Sequence, residues 1–322
     1  MFEAILLTVA TAATPLLLAA IGELVVERSG VLNLGVEGMM LIGAVTGFGV
    51  ALTTGSPWLG ALAAIVAGAA FSLLFGFLTL TLVTNQVATG LALTLLGIGV
   101  SGQVGEAFVG MPGVRMQPIS VPVLSDLPFV GKLLFGQDPL FYVSIALTAA
   151  VAWFLFRTRA GLTLRAVGDS HSSAHSLGIR VIAVRYLAVM FGGACAGLGG
   201  AYLSLAYTPQ WVENMTAGRG WIALALVVFA SWRPWRVLAG AYLFGAISIL
   251  QLHIQAISLN ELRFLPAPLF WLVELVKSIP SQFLSALPYL ATVVVLVLIS
   301  RNRRLTMMNT PASLGRGFVP DR

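Results

Sequence analysis

The stretch 27–45, "ERSGVLNLGVEGMMLIGAV", opens with two charges and a turn, passes Asn33 and a second carboxylate, Glu37, and then becomes almost wholly apolar. A glutamate where a greasy helix has to begin is informative only once the surroundings of the chain are known. Of 322 residues, 58% are hydrophobic and 9% charged, whereas soluble domains carry about 25% charged residues. Mean hydropathy is +0.94. This composition excludes a soluble domain and points to a helical membrane bundle, which needs no aqueous core. The net charge of +6 then fits loops facing the cytoplasm and anionic headgroups, rather than nucleic acid. Cys195 is the only cysteine, so no internal disulfide or redox motif is available. No Lys or Arg precedes Arg28, so the first apolar stretch lacks the basic start of a signal peptide and is expected to stay as a span.

A spanning helix needs about 20 mostly apolar residues to cross about 30 Å of hydrocarbon, and barrels instead show short alternating strands. The runs here are helical in length and fall near 4–22, 37–54, 58–83, 87–105, 139–156, 183–206, 219–232, 237–258 and 284–300. The fold expected is an all-α polytopic transmembrane bundle of about nine spans, with eight to ten as the range. The run at 219–232 is short enough for a half-helix or re-entrant segment, and the apolar run 264–280 is broken by Pro266, Pro268 and Pro280. Alternating the spans gathers Arg28, Arg157, Arg159, Arg165, Arg180, Arg185, Arg233, Arg236 and the tail arginines on one side. By the positive-inside rule that side is the cytoplasm, which puts the N-terminus outside and the C-terminus inside. The external connections 106–138 and 259–283 are proline-rich and cannot run on as long helices.

Small residues four apart, Gly43 and Gly47, Gly193 and Gly197, Ala241 and Gly245, share a helix face and let backbones approach closely. The largest cytoplasmic connection, 157–185, reads "RTRAGLTLRAVGDSHSSAHSLGIRVIAVR". It predicts a short helix parallel to the membrane: Gly168 breaks the chain, Asp169 is the N-cap, Ser170 to Leu177 makes about two turns, and Gly178 takes the left-handed end. Such a capped helix between basic flanks is what a membrane subunit would offer to a partner's groove. His171 and His175 invite a metal reading, but zinc needs three or four ligands and only Asp169 lies near, so they read as solvated helix-face histidines. The two lysines, Lys132 and Lys277, do not end a Gly-rich phosphate loop, so the chain has no ATPase site of its own and is not read as an enzyme.

Four segments, "ERSGVLNLGVEGMMLIGA" (27–44), "NQVATGLALTLLGIG" (85–99), "RAVGDSHSSAHSLGI" (165–179) and "GRGWIALALVVFASWRP" (218–234), occur in order over nearly the whole chain. Together they resemble the permease subunits of ABC importers in the branched-chain amino acid and simple-sugar class, most nearly the shorter permease of nucleoside or sugar-like uptake systems. The resemblance implies one permease domain, 1–322, with a cytoplasmic coupling loop at 157–182 and a cytoplasmic tail at 301–322. It also implies a second permease, most simply a paralogue in a heterodimer, ATPase subunits that carry ATP and Mg, an external solute-binding protein, and residence in the cytoplasmic (inner) membrane of a prokaryote. The family's coupling helix maps onto Gly168, Asp169, Ala174 and Gly178. Many relatives have a Glu-Asn pair and a second alanine where this chain has Asp169-Ser170 and Ser173, so particular ATPase contacts need not carry over.

Within that frame Asn33 and Glu37 lie at the cytoplasmic start of the second span, where an Asn can cap and the positive helix end favours a carboxylate. A structural or gating role, with Glu37 pairing to Arg28, is expected. Asn85, Gln86, Gln103 and Gln251 are candidates for lining the pathway, as polar groups at membrane depth face the bundle interior. Neutral donors and acceptors suit an uncharged solute such as a nucleoside, or alternatively a sugar. An ion-coupled secondary transporter would need inverted repeats and a buried carboxylate cluster, neither of which is evident in the sequence.

Overall fold

A computed structural model describes residues 2–119, 135–256 and 309–320, with isolated positions between 283 and 297; the side chains of 2–4 and 250–256 lie outside that description. The described elements are all helical. They are α1 (Phe2–Arg28), α2 (Val36–Thr54), α3 (Pro57–Gly76), α4 (Gln86–Gly105), α5 (Pro139–Arg157), α6 (Arg159–Asp169), α7 (His171–Ser176), α8 (Val181–Tyr202), α9 (Arg219–Phe229) and α10 (Pro234–Ala256). π turns extend α3 over Phe77–Thr81 and α8 over Leu203–Tyr207, and a 3₁₀ turn, Glu106–Phe108, follows α4. Among the described residues six helices, α1 to α5 and α8, are long and apolar enough to cross a membrane, while α9 is too short.

Local chemistry sets the ends. Proline opens α3 and α5, where its missing N–H is not needed. Ser56 accepts from Leu59 N, Asn85 from Ala88 N at 3.0 Å, and Asp138 from Phe141 N at 3.0 Å. Asp138 also receives the Tyr202 hydroxyl at 2.8 Å, which ties the start of α5 to the far end of α8.

α8 is the central helix, packed against α1, α2 and α3. Its glycines set the spacing: a Cβ on Gly197 would strike the Ala64 carbonyl, one on Gly193 would strike Ser72, and one on Gly43 of α2 would strike Gly197 itself. Gly38 and Gly97 bring α2 and α4 together in the same way, and Gly245 sets α10 on Val9 and Ala13 of α1. Close backbone contact of this kind replaces the hydrophobic drive that lipid removes. Cys195 is buried here as a free thiol.

Two local expectations are corrected. The connection 157–182 holds two helices, α6 and α7, where one was predicted. Gly168 does not break the chain; it lies inside α6, with its Cα side against the Arg28 carbonyl, where any side chain would collide. Asp169 therefore ends α6, and Ser170 is the N-cap of α7, accepting from Ser173 N at 3.3 Å. The predicted first span also stops short: α1 continues to Arg28 because neighbouring helices bury the polar residues of its last turns. The span predicted at 284–300 lies outside the described residues apart from isolated helical positions, as does most of the connection 259–283.

Candidate functional site

The segment 29–35 does not run along the end of the bundle; it turns back into it. Gly30, at φ +87°, makes the reversal, and the Ser29 hydroxyl donates to Val26 O. Asn33 N then donates to Glu23 Oε1 at 3.3 Å, five residues before Arg28 and so roughly 7.5 Å deeper along α1. Leu32 N donates to Gln86 Oε1 at 2.8 Å, and the Thr94 hydroxyl donates to Leu34 O at 3.0 Å. Asn33 does not cap α2: its Oδ1 accepts from Gly35 N at 2.9 Å, forming a turn before the helix, and Gly35 is the N-cap. α2 therefore begins inside the bundle, with Glu37 in its first turn and buried.

Glu37 faces the N-terminus of α9. Its Oε1 accepts from the Thr216 hydroxyl and from Gly218 N at 2.8 Å; its Oε2 accepts from Gly220 N at 2.6 Å. α9 has 11 residues, about 16 Å of helix, roughly half of a hydrocarbon core. The carboxylate thus supplies the negative charge that the exposed N–H groups of a half-helix attract. Gly220 is required here, since a Cβ would meet the Glu37 backbone. The expected pair with Arg28 is not formed, because the Arg28 guanidinium is spent elsewhere: Nε and Nη2 donate to Trp232 O, and Nη1 to Asn309 O.

The chain enters α9 from the opposite end of the bundle. Trp211 is buried in the notch left by Gly105 and packs with Phe48, after which the backbone descends through Asn214 (φ +54°), Ala217 (φ +46°) and Gly218 (φ +81°). Arg219 folds back to donate to Met215 O and Thr216 O, with its guanidinium 5.8 Å from the Tyr207 ring centre. At the far end Ser231 (φ +50°) and Trp232 (φ +54°) are again left-handed. Non-glycine residues in this region cost about 1–3 kcal/mol each and mark hinges or clamps.

Glu27 holds the second end of α9, where Trp232 Nε1 donates to its Oε2 at 2.6 Å. Glu23, Glu27 and Glu37 are 1%, 1% and 3% exposed, so each is a buried carboxyl group in the bundle, with Glu37 held apart at the start of α9. Glu23 Oε2 and Glu27 Oε1 have no hydrogen-bond partner among the described residues. Two glutamates four apart in "GELVVER" were the available signal, and ending the first span at 22 hid them.

Of the pathway candidates, Asn85 is an exposed cap, Gln86 is buried and joined to Leu32, and Gln103 lies on the exposed face of α4. Gln251 is on α10, with its side chain outside the described residues. Of the coupling candidates, Gly168 is locked against Arg28, Asp169 ends α6, and Ala174 is buried with Val167 and Val181. Gly178 is left-handed at φ +82° with open space around it, and its neighbour Leu177 is 81% exposed. His171 Nδ1 faces Arg185 Nη2 at 3.3 Å; a guanidinium only donates, so Nδ1 accepts. Burial, with Arg185 and Arg316 nearby, holds the His171 imidazole below its usual value. Among the described residues no three His, Cys, Asp or Glu side chains come together as a metal site.

The site holds a carboxylate, a half-helix and left-handed backbone on either side of that helix. The family described as "Branched-chain amino acid transport system / permease component" matches residues 5–299. The chain belongs to that family of permeases.

Three relatives of this permease align over 88% of both chains. It is 47% identical over 293 residues to a Haloferax volcanii protein provisionally named a glucose ABC transporter permease. It is 34% identical over 298 residues to a guanosine ABC transporter permease of Bacillus subtilis, and 33% identical over 296 residues to a nucleoside ABC transporter permease of Lactococcus lactis. The permease is thus an integral membrane protein of the ABC importer class.

Proposed function

We propose that the permease forms one half of the translocation pathway of an ATP-driven importer for a nucleoside, with α9 as the movable seal, Glu37 as its catch and α7 as the element a cytoplasmic ATPase grips. The observation that carries this is the Glu37 clamp on a half-helix inside a bundle, with a short capped helix at the basic end. A simple sugar is the second reading, favoured by the 47% identity to the relative named for glucose.

The partners in this reading are ATPase subunits that hold ATP and Mg, a second permease, and an external binding protein. Residues 1–322 act as one permease domain with its coupling loop at 157–182 and its tail at 301–322. Gly168, Asp169, Ala174 and Gly178 shape the coupling region. Asn33, Asn85 and Gln86 act as positioning groups beside the gate, while Gln103 and Gln251 remain candidates for the pathway wall. Nine spans, an outside N-terminus and a cytoplasmic C-terminus complete the reading. Its support is that Arg28, Arg185, Arg316, α7 and the end of α9 meet at one end of the bundle.

The test is co-purification of the tagged permease from native membranes in mild detergent, followed by reconstitution with the recovered subunits. Recovery of an ATPase and a second permease, with ATP-dependent uptake of labelled guanosine, is the expected result. Glucose uptake in its place would select the sugar. A chain recovered alone and active without ATP would refute the importer reading.

A further inference from the structure

Arg185 is 1% exposed, and no carboxylate among the described residues pairs with it. A buried guanidinium is costly unless its donors are satisfied. It is satisfied by three segments far apart in the chain: Nε donates to Ser29 O at 3.2 Å, Nη1 to Arg316 O at 3.1 Å, and Nη2 to His171 Nδ1 at 3.3 Å. One side chain therefore joins the turn leading to Glu37, the C-terminal segment and α7.

The C-terminal segment makes further bonds of the same kind. Ser313 N donates to Gly168 O at 2.9 Å and its hydroxyl to Asp169 O, while Gly315 N donates to Gly30 O at 3.1 Å. The Phe318 ring lies 5.2 Å from the His171 ring and 5.4 Å from that of His175, and it completes the small apolar cluster of Val167, Ala174 and Val181 beneath α7. α7 has six residues, too few to hold a helix without tertiary support. Its position is set in large part by the segment that covers it.

We infer that residues 309–320 are a working part of the coupling machinery: a strap that keeps α7 in register with the 29–35 turn, with Arg185 and Phe318 as positioning residues. A displacement of α7 then reaches Ser29 through Arg185, and Ser29 begins the turn whose end carries Glu37. Without the strap α7 can yield locally, and the displacement is lost before it enters the bundle. This inference rests on the reading of α7 as the ATPase contact.

The experiment compares wild type, Phe318→Ala, Phe318→Tyr and Arg185→Lys in the assembled transporter. Hydrogen exchange of the peptide covering 29–37 is followed with and without ATP, alongside ATP turnover and ATPase retention. In wild type, ATP is expected to change exchange in 29–37. In Phe318→Ala and Arg185→Lys the ATPase stays bound and turns over, while the ATP-dependent change falls about tenfold, within the usual span of coupling factors. Phe318→Tyr, which keeps the ring, restores it. An undiminished response in Phe318→Ala and Arg185→Lys overturns the strap, as does loss of ATPase binding from a folded Phe318→Ala chain. A wild-type chain that binds no ATPase refutes the underlying importer reading and is recognised as such before any variant is compared. A role confined to folding would lower thermal stability in all variants and leave the ATP response of the folded fraction intact, which also overturns the strap.

Discussion

Replacing Glu37 by glutamine is the most direct challenge to the half-helix clamp. The carboxylate offers two acceptor oxygens to three donors: Thr216 and Gly218 on Oε1, and Gly220 on Oε2. Glutamine keeps one acceptor and turns the other into a donor. The better orientation keeps the carbonyl on the Thr216 and Gly218 side, so Gly220 N–H faces an NH₂ group. Losing a hydrogen bond to a charged acceptor costs about 1.5–3 kcal/mol, and removing the charge at the helix N-terminus adds about 0.3–1 kcal/mol. Release of the α9 start should become easier by about 2–4 kcal/mol, which at about 1.4 kcal/mol per decade is about 30-fold to several hundred-fold. Hydrogen exchange reads this directly, because two of the three donors are backbone amides. The peptide covering 217–222 should exchange faster by that factor, while peptides from the middle of α8 stay unchanged. Glu37→Ala should have the larger effect, as all three donors lose their acceptor. An unchanged rate at 217–222 in folded Glu37→Gln protein would refute the clamp.

Three further perturbations test separate parts of the structure. Gly197→Ala drives a methyl group into the Ala64 carbonyl and should destabilise by about 1–3 kcal/mol, whereas Gly99→Ala, with nothing within 4 Å, should be neutral or stabilising by up to about 1 kcal/mol; thermal unfolding in one detergent separates them. Trp232→Phe removes the Nε1 donor of Glu27 and should cost about 0.5–1.5 kcal/mol, read by thermal unfolding. Burial, with Arg185 and Arg316 nearby, holds the His171 imidazole below its usual value of about 6.5, so the folded state binds fewer protons than the unfolded state between those values. Its contribution is present above 6.5 and lost as pH falls through the folded value, because the imidazolium would face Arg185 and Arg316. The Arg316 bond should therefore become cleavable by trypsin as pH is lowered, an effect that His171→Gln abolishes.

The broad fold was legible because a bilayer admits few solutions. Apolar runs of spanning length must be helices, and basic residues must gather at one end. The half-helix was legible for the same reason, since Arg219–Phe229 is too short to cross. Depth within the bundle was not legible. "SGVLNLG" reads as a surface turn, and nothing in its composition says that Asn33 returns to the depth of Glu23. The role of Gly168 was misread because a glycine before a polar residue signals a break as readily as a close approach; the deciding contact, the Arg28 carbonyl, is 140 positions away. The same distance hid the donors of Glu37, which lie about 180 residues downstream. Long-range polar pairing follows from packing, which one sequence does not disclose.

Both ends of α9 are fastened through α1 and α2, and by opposite chemistry. At its start a carboxylate on α2 accepts from the free N–H groups; at its finish the Arg28 guanidinium on α1 donates to the Trp232 carbonyl, and Glu27 accepts from the indole N–H. Glu37 at the start and Arg28 at the finish carry the sign that the helix dipole prefers there, while Glu27 acts only as acceptor to the indole. α1 and α2 are joined by the 29–35 turn, so a shift of that turn changes both fastenings together. The left-handed residues on either side of α9 work against them. Ala217, Ser231 and Trp232 each carry about 1–3 kcal/mol of backbone strain, which the proposed movement of α9 would relieve if it let them leave the left-handed region. Strong catches set against stored strain leave the seated and released positions closer in free energy than the hydrogen bonds alone would suggest. The gate proposed above, moved by a docking partner, would need that near balance, since a ligand or partner can shift two states only by the difference in its affinity for them.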